Sequence, residues 1–326
     1  MSASTSPRDH DRQLIGVLVT FRRPVELSVS LARLADQDRP LDHLVVVDND
    51  GDERVAREIH EFVRRGHDAT YVATSENLGP AGGIAVGMEH ALRRARDGDW
   101  VVLLDDDDPA DGPDVLSSLA DFGASMLATE PRTGGVGLVG ARFDWKSGRL
   151  DRVSDEDLRG AVSVDYIGGN QFPFYLAAAV SAVGPFDRSL FFGFDDLEYG
   201  LRLRHAGYRL FGSGPLWLEQ RRRAGRLGLE VSPSRTLGEA GWRRYYSIRN
   251  IIQILRSNGR DATAVRVAMV RGIGKPLANL PRDPRRAWRH LRLGVRACRD
   301  GWAGRMGRTI EPDGYDGAEV PETRSS

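Results

Sequence analysis

The chain has 326 residues, and its 46 basic and 46 acidic side chains give a formal net charge of zero, with 40 % of residues hydrophobic. This is the composition of an ordinary globular protein of one large or two smaller domains, and it excludes collagenous and low-complexity chains. The single cysteine, Cys298, excludes an internal disulfide and fits a reducing compartment.

The N-terminus, MSASTSPRDHDRQ, is polar and lacks the apolar core of a signal peptide. Residues 1–13 are expected to be disordered and the protein cytoplasmic. QLIGVLVTF (13–21) is an apolar run that predicts a buried first strand. Pro24 suits a helix start, and Val25, Leu27, Leu31 and Leu34 follow at helical spacing. LDHLVVVDND predicts a second strand, and VAREIHEFVRRG a helix closed by Gly66. ATYVATSENLG, GGIAVGMEHALRRA, DWVVLLDDDD and PDVLSSLADFGASML continue as strand, helix, strand, helix. The alternation, with strands that are near-continuous apolar runs, predicts an α/β fold: a Rossmann-like, mostly parallel sheet with helices on both faces.

Beyond Glu130 the alternation weakens. GGVGLVGARFD predicts another strand region, and FGFDDLEYGLRLRHAGYRL a helix ending near Gly207. Tyr166–Phe186 is the longest uncharged run and long enough to span a membrane, but its glycines and prolines exclude a continuous spanning helix. LEQRRRAGRLGLEVSPSRT (218–236) predicts a mobile loop. From Trp242 to Arg308 the chain reads as helical, with 17 basic and three acidic residues. The expected organisation is an α/β domain over 14–236, a basic helical segment over 237–310, and a disordered tail over 311–326.

In open α/β sheets, ligands bind beyond the carboxyl ends of the strands. Thr20-Phe21-Arg22, Asp48-Asn49-Asp50, Ser75-Glu76-Asn77 and Asp105 to Asp108 all fall at such ends. Adjacent aspartates in one crevice need a counter-charge, and Mg²⁺ or Mn²⁺ with oxygen ligands supplies it. Asp105 and Asp107 fall on one side of an extended segment and are the candidate metal ligands, leaving Asp106 to accept a ribose hydroxyl. The competing reading is a solvated acidic loop in which Asp108 or Asp111 caps the next helix. A second cluster, Asp195, Asp196 and Glu198, lies among phenylalanines whose burial raises a carboxyl pKa, as a general base near neutral pH requires. It reads equally as an acidic first helical turn. ENLGPAGGIAVG is not a dinucleotide fingerprint, because Ala81 and Ile84 stand where it needs glycine. Its Gly79, Gly82, Gly83 and Gly87 mark close approach of backbone, either to a ligand or to the sheet.

Six ordered pieces, VLVTFRRP, LVVVDNDG, ENLGPAGGIAVGMEHAL, VVLLDDDDP, VGPFDRSLFFGFDDLEYGLRLRHAGYRL and YYSIRNIIQIL, cover Leu14 to Leu255. Together they resemble the family 2 glycosyltransferases with a GT-A fold, in the bacterial rhamnosyl- and galactofuranosyltransferase-like branch. The resemblance implies that Thr20, Phe21 and Asp48, with the adjoining Arg22, line the nucleotide pocket. It implies that Asn77 and Gly79, with Gly83 nearby, lie by the diphosphate and sugar. Asp105 to Asp107 match the family's DxD region, and Asp196 matches the base position of an acidic pair whose other member is Asp195. Arg249 and Asn250 match an RN pair with no assigned role. One departure stands out: many relatives carry a metal-ligating histidine after the tryptophan, and here Leu218 follows Trp217. Either Glu219 or Gln220 replaces it, or the metal site has fewer protein ligands, or activity is altered; Arg221 to Arg223 read as a diphosphate neutraliser or as a solvated basic loop.

The expected function is that of a metal-dependent, inverting hexosyltransferase. It takes its sugar from a nucleotide-diphosphate donor, with UDP-galactofuranose or dTDP-rhamnose favoured, and passes it to a hydroxyl of a glycan or lipid-linked glycan. Trp242, Trp288 and Trp302 among the C-terminal arginines imply a peripheral contact with the anionic inner face of the cell membrane. No nucleic-acid motif accompanies the basic segment, so no nucleic-acid partner is expected. The alternatives are a non-catalytic nucleotide-sugar-binding homologue and a sugar-nucleotide nucleotidyltransferase. The latter needs a Gly-rich basic loop after the first strand, where TFRRP is Gly-free.

Overall fold

The computed structural model describes residues 12–228 and 241–312. The expected disordered ends, apart from Arg12, Gln13, Glu311 and Pro312, and the expected loop from residue 229 onward lie outside the described residues. The chain divides into two compact units: Met1–Asp144 with Arg149–Ser232, and Trp145–Gly148 with Pro233–Ser326.

The first unit opens with β1 (Leu14–Thr20), α1 (Pro24–Ala35), β2 (His43–Asp48), α2 (Glu53–Arg64), β3 (Ala69–Ala73), α3 (Gly79–Leu92), β4 (Trp100–Asp105) and α4 (Val115–Thr129). It continues through β5 (Thr133–Gly137), β6 (Gly140–Asp144), β7 (Arg149–Asp151), β8 (Ala161–Val164), β9 (Tyr166–Ile167), β10 (Phe174–Leu176), α5 (Ala177–Val183), α6 (Asp195–His205), β11 (Arg209–Ser213) and α7 (Gly214–Arg223). The main sheet runs β3-β2-β1-β4-β10-β5-β11-β8, and a small sheet pairs β7, β6 and β9. β3, β2, β1 and β4 are mutually parallel, so their carboxyl ends share one edge. β10 enters antiparallel between β4 and β5.

Strand periodicity sorts the core into two layers. On one face, Leu14 and Leu18 of β1 and Trp100, Val102 and Leu104 of β4 pack with apolar residues of α1, α2 and α4. On the other, Ile15, Val17, Val101 and Leu103 pack with α3, α5 and α6. A strand buried on both sides has to read as a continuous apolar run, which is why the sequence shows these strands so clearly. The glycines of α3 serve this packing: a Cβ on Gly87 would lie 2.2 Å from Val17 Cγ1, and one on Gly83 2.5 Å from Val19 Cγ1. The helix thus seats directly on β1.

Two local expectations need correction. The segment expected as a loop from Leu218 is helical as far as Arg223, because Pro215 in the first turn and the pairing of Glu219 with Arg222 and Arg223 favour α7. The helix after the aspartate run starts at Val115 behind Asp114, so neither Asp108 nor Asp111 is its N-cap.

The second unit contains α8 (Gly241–Ser257), α9 (Asp261–Val267), a π-helical stretch (Ala268–Gly274), α10 (Lys275–Asn279) and α11 (Pro284–Trp302). Arg249, fully buried in α8, donates to Asn250 Oδ1 at 2.9 Å and to the Gly307 carbonyl at 2.6 Å, with its guanidinium over the Tyr246 ring. The RN pair therefore anchors the stretch that follows α11. Among the described residues, no helix is long and apolar enough to cross a membrane.

Candidate active site

The ends of β1 and β4 meet through side chains. Thr20 Oγ1, at the last position of β1, donates to Asp106 Oδ2 at 2.8 Å. Arg23, just before α1, donates to Asp106 Oδ1 at 3.1 Å and also pairs with Asp107. Ser30 of α1 donates to the Asp106 carbonyl at 2.9 Å. Asp106 is only 4 % exposed, and the hydrogen bonds that its two oxygens accept from Thr20 and Arg23 pin the strand end. Asp105 and Asp107 bend toward each other across the turn, where the Asp107 N–H reaches Asp105 Oδ1 at 3.4 Å. Each of the three offers a carboxylate oxygen, and these lie within 4.8 Å of one another. Burial, then the hydrogen bond and charge of Asp107, push the Asp105 carboxyl up to about 7. Carboxylates this close favour a hard, oxygen-loving cation, and the donor set fits Mg²⁺ or Mn²⁺.

β2 ends differently. Asp48 is fully buried: Oδ1 accepts the Asp50 N–H at 3.0 Å, and Oδ2 accepts the Asp52 N–H at 2.7 Å and the Tyr71 hydroxyl at 2.9 Å. It builds the turn into α2, and burial together with its hydrogen bond pushes the Tyr71 phenol up to about 12. Asn49 reaches across to α3, donating to the Gly79 carbonyl at 3.1 Å. Asn77 Oδ1 accepts the Gly79 N–H at 2.8 Å and so sets the entry to that helix. Phe21 is half-buried, and Arg22, at φ 57°, lies over its ring and pairs with Asp50 at 2.9 Å.

The second acidic pair reaches the same edge by two routes. Gly79, at φ 69°, lies against the segment before α6: a Cβ there would be 2.2 Å from the Phe191 carbonyl, which also accepts the Ala81 N–H. Asp196 Oδ2 accepts the Gly169 N–H at 3.2 Å. Gly169 opens the turn Gly169–Gln171, and the following Pro173 carbonyl accepts the Leu103 N–H at 3.0 Å, two residues before Asp105. That one turn therefore ties Asp196 to the end of β4. Phe172, Phe191 and Phe194 hold positive φ around the pair, a strain that favours glycine and is typical of functional segments. Asp195 is buried and Asp196 half-buried, so Asp196 is the member with an open side. Burial, then the Asp196 charge, push Asp195 up to about 7, and burial also raises Asp196. The Gly169 N–H and the first amides of α6 oppose that rise and orient the Asp196 carboxylate.

The sequence did not single out Arg23, Ser30 or the Gly169 turn. Only the RRP after β1 hinted at Arg23, and nothing local marked Gly169, whose role rests on a contact 27 residues away in the chain. Leu218 packs on the apolar core beside Trp217. Its proposed substitutes are engaged elsewhere: Glu219 with Arg222 and Arg223, and Gln220 with Gln171 Oε1 at 3.1 Å. Arg221 is buried and paired with Asp155. Each arginine of the run thus has a carboxylate partner, Arg221 across the chain and Arg222 and Arg223 within the helix.

Two solved structures share this fold. The mannosyltransferase PcManGT from Pyrobaculum calidifontis, in complex with GDP-Man and Mn²⁺, superposes with a TM-score of 0.53 at 17 % identity, over 92 % of this chain and 90 % of that one. GalNAc-T7 with UDP, GalNAc and Mn²⁺ gives 0.53 at 12 % identity, over 75 % and 48 %. The architecture is that of a GT-A protein. Residues 17–124 match the family model described as Glycosyl transferase family 2. Over 202 residues the chain is 35 % identical to galactofuranosyltransferase GlfT1 of Mycobacterium tuberculosis, covering 60 % of this chain and 65 % of that protein. Over 208 residues it is 35 % identical to GlfT1 of Mycolicibacterium smegmatis, covering 61 % and 67 %. The chain belongs to the family 2 glycosyltransferases. Its match spans just under two thirds of the Mycobacterium tuberculosis relatives' length.

Proposed function

We propose that the protein is a metal-dependent, inverting glycosyltransferase that moves a sugar from a nucleotide-diphosphate donor to a hydroxyl of a glycan or lipid-linked glycan in cell-surface polysaccharide synthesis. The observation that carries this reading is the pair of carboxylate clusters on either side of one turn, Asp105 to Asp107 at the end of β4 and Asp195-Asp196 at the start of α6. UDP-galactofuranose is the favoured donor because the relatives are named galactofuranosyltransferases; dTDP-rhamnose is the next.

Asp196 takes the proton of the acceptor hydroxyl. The freed oxygen attacks the anomeric carbon from the face opposite the diphosphate, and the bond from that carbon to the phosphate oxygen breaks, inverting the centre. Asp105 and Asp107 would hold a divalent cation there, which would supply Lewis-acid stabilisation of the departing diphosphate. Thr20 and Arg23 fix Asp106 and so hold the strand end in place. The Gly169 N–H keeps the Asp196 carboxylate aimed, and the buried phenylalanines limit water around it.

The test is to incubate the protein with either donor, an acceptor glycan and Mn²⁺ or Mg²⁺, and to follow nucleoside-diphosphate release and product anomeric configuration by NMR. Retained configuration overturns the inverting mechanism. Donor binding without turnover for any acceptor returns the protein to the non-catalytic reading.

A further inference from the structure

α11 carries a side that its own unit leaves uncovered. Trp288, Val295 and Trp302 are 56 %, 50 % and 41 % exposed. They are seven residues apart, and at 3.6 residues per turn that spacing lines them up as one stripe along the helix. Arg285, Arg292 and Arg299 repeat at the same interval, as do Arg289 and Arg296, forming a basic stripe directly beside the apolar one. The opposite side of the helix buries Ala287, His290, Gly294, Ala297 and Gly301, and Gly294 lies against Gly272 of the π-helical stretch.

The charge on this outer side is only partly neutralised. The only acidic residue within α11 is Asp300, which is 2 % exposed and accepts the Tyr245 hydroxyl at 2.7 Å. Arg296 and Arg299 pair with Asp300. Arg285, Arg289 and Arg292 pair with no carboxylate among the described residues. The other two acids between Trp242 and Arg308 are also occupied: Asp283 accepts the Arg286 N–H at the helix start, and Asp261 pairs with Arg256. Met269, Val270 and Leu277 are also exposed in the same unit.

An apolar stripe rich in tryptophan beside a row of arginines is a poor surface to leave in water and a good one for a phospholipid interface. Indole rings favour the headgroup boundary, and arginines extend their charge to lipid phosphates while their stems cover apolar surface. A second protein with an acidic face would match the arginines but not the broad tryptophan rings beside them, whereas an anionic bilayer matches both. We infer that the outer side of α11 is a docking surface for an anionic phospholipid bilayer, with Trp288, Val295 and Trp302 in the headgroup boundary and Arg285, Arg289 and Arg292 on lipid phosphates. Attachment of this kind is peripheral and reversible, and weakens with salt.

The test uses the full chain in co-sedimentation with sucrose-loaded vesicles of phosphatidylcholine alone, or mixed with phosphatidylglycerol. Anionic vesicles bind at least about tenfold more tightly than neutral ones, since each basic side chain near an anionic surface adds a factor of about five. The double substitution Arg289→Glu, Arg292→Glu removes that preference. Trp288→Ser weakens binding to anionic vesicles even at low salt, and a thermal melt of each variant confirms the fold. If Trp288→Ser lowers the melt, Val295→Ser replaces it. Equal binding to neutral vesicles, no binding, or full retention in the charge-reversed variant overturns the inference. So does a concentration-dependent dimer that the same substitutions dissolve, which would assign the surface to a second copy of the chain. No sugar donor enters the measurement, so its outcome is independent of the transfer reaction.

Discussion

The two acidic clusters are made of the same residue and differ in what surrounds them. Asp105 to Asp107 meet a fixed cation in Arg23, and Asp107 is largely open to solvent. Asp195 and Asp196 have backbone amides and phenylalanines for company, with no cationic side chain among the causes that shift them. The first environment exchanges one positive charge for another, which suits a cation site. The second penalises charge and rewards taking up a proton, which suits a base. Position along the chain does not make this distinction; the neighbours do.

The largest effect expected from breaking the contrast is at Asp196. Asp196→Asn keeps the shape and removes the proton acceptor, so kcat falls about a hundredfold to ten-thousandfold while donor affinity by calorimetry is retained. Lost donor affinity with retained kcat would move Asp196 into the binding site. Next comes Asp107→Asn, which lowers Mn²⁺-dependent donor affinity at least about tenfold, read in titrations with and without metal. Equal affinity under both conditions would remove Asp107 from the cation site.

Asp195→Asn gives a smaller change with a defined sign. In the folded protein, burial holds both carboxyls above their ordinary range, and the Asp196 charge adds to the rise of Asp195, up to about 7, so the base form of the pair is gained only as pH rises toward neutrality. Removing the Asp195 charge lets Asp196 ionise earlier, and the acid limb of the kcat profile moves down by about one pH unit. An unmoved or raised limb would show that the two carboxyls do not share their titration. The smallest effect is at Arg23. Arg23→Ala leaves Asp106 and Asp107 without their counter-charge, so the metal-free protein melts a few degrees lower and Mn²⁺ raises the melting temperature more than in the parent chain. An unchanged Mn²⁺ shift would mean that Arg23 and the cation do not answer the same charge.

Much of the architecture was legible because the signals are local. β1, β2 and β4 are buried on both faces and have to be apolar throughout, and the polar groups at their ends followed from where those runs stop. The glycines of α3 showed close approach, but not to what; Val19 and Val17 proved to be the partners for Gly83 and Gly87, respectively. The α7 helix was missed because Gly, Arg and Pro in LEQRRRAGRLGLEVSPSRT resemble a loop, while the Glu219 pairs that support the helix form only once it is wound.

The sequence by itself determined the alternation of strands and helices, the acidic residues at the strand ends and the basic character of the last helices. Each depends on side-chain type at short spacing, which a chain displays before it folds. Tertiary structure alone decided that Asp48 is consumed by its own turn and Tyr71, that Asp106 is held by Thr20 and Arg23, and that Asp196 is aimed by Gly169. These are contacts across 23 to 86 positions apart from the short turn at Asp48, and they rest on which surfaces the packed sheet brings together. A carboxylate's role is set by the charge, burial and donors around it, and those exist only after the fold has closed.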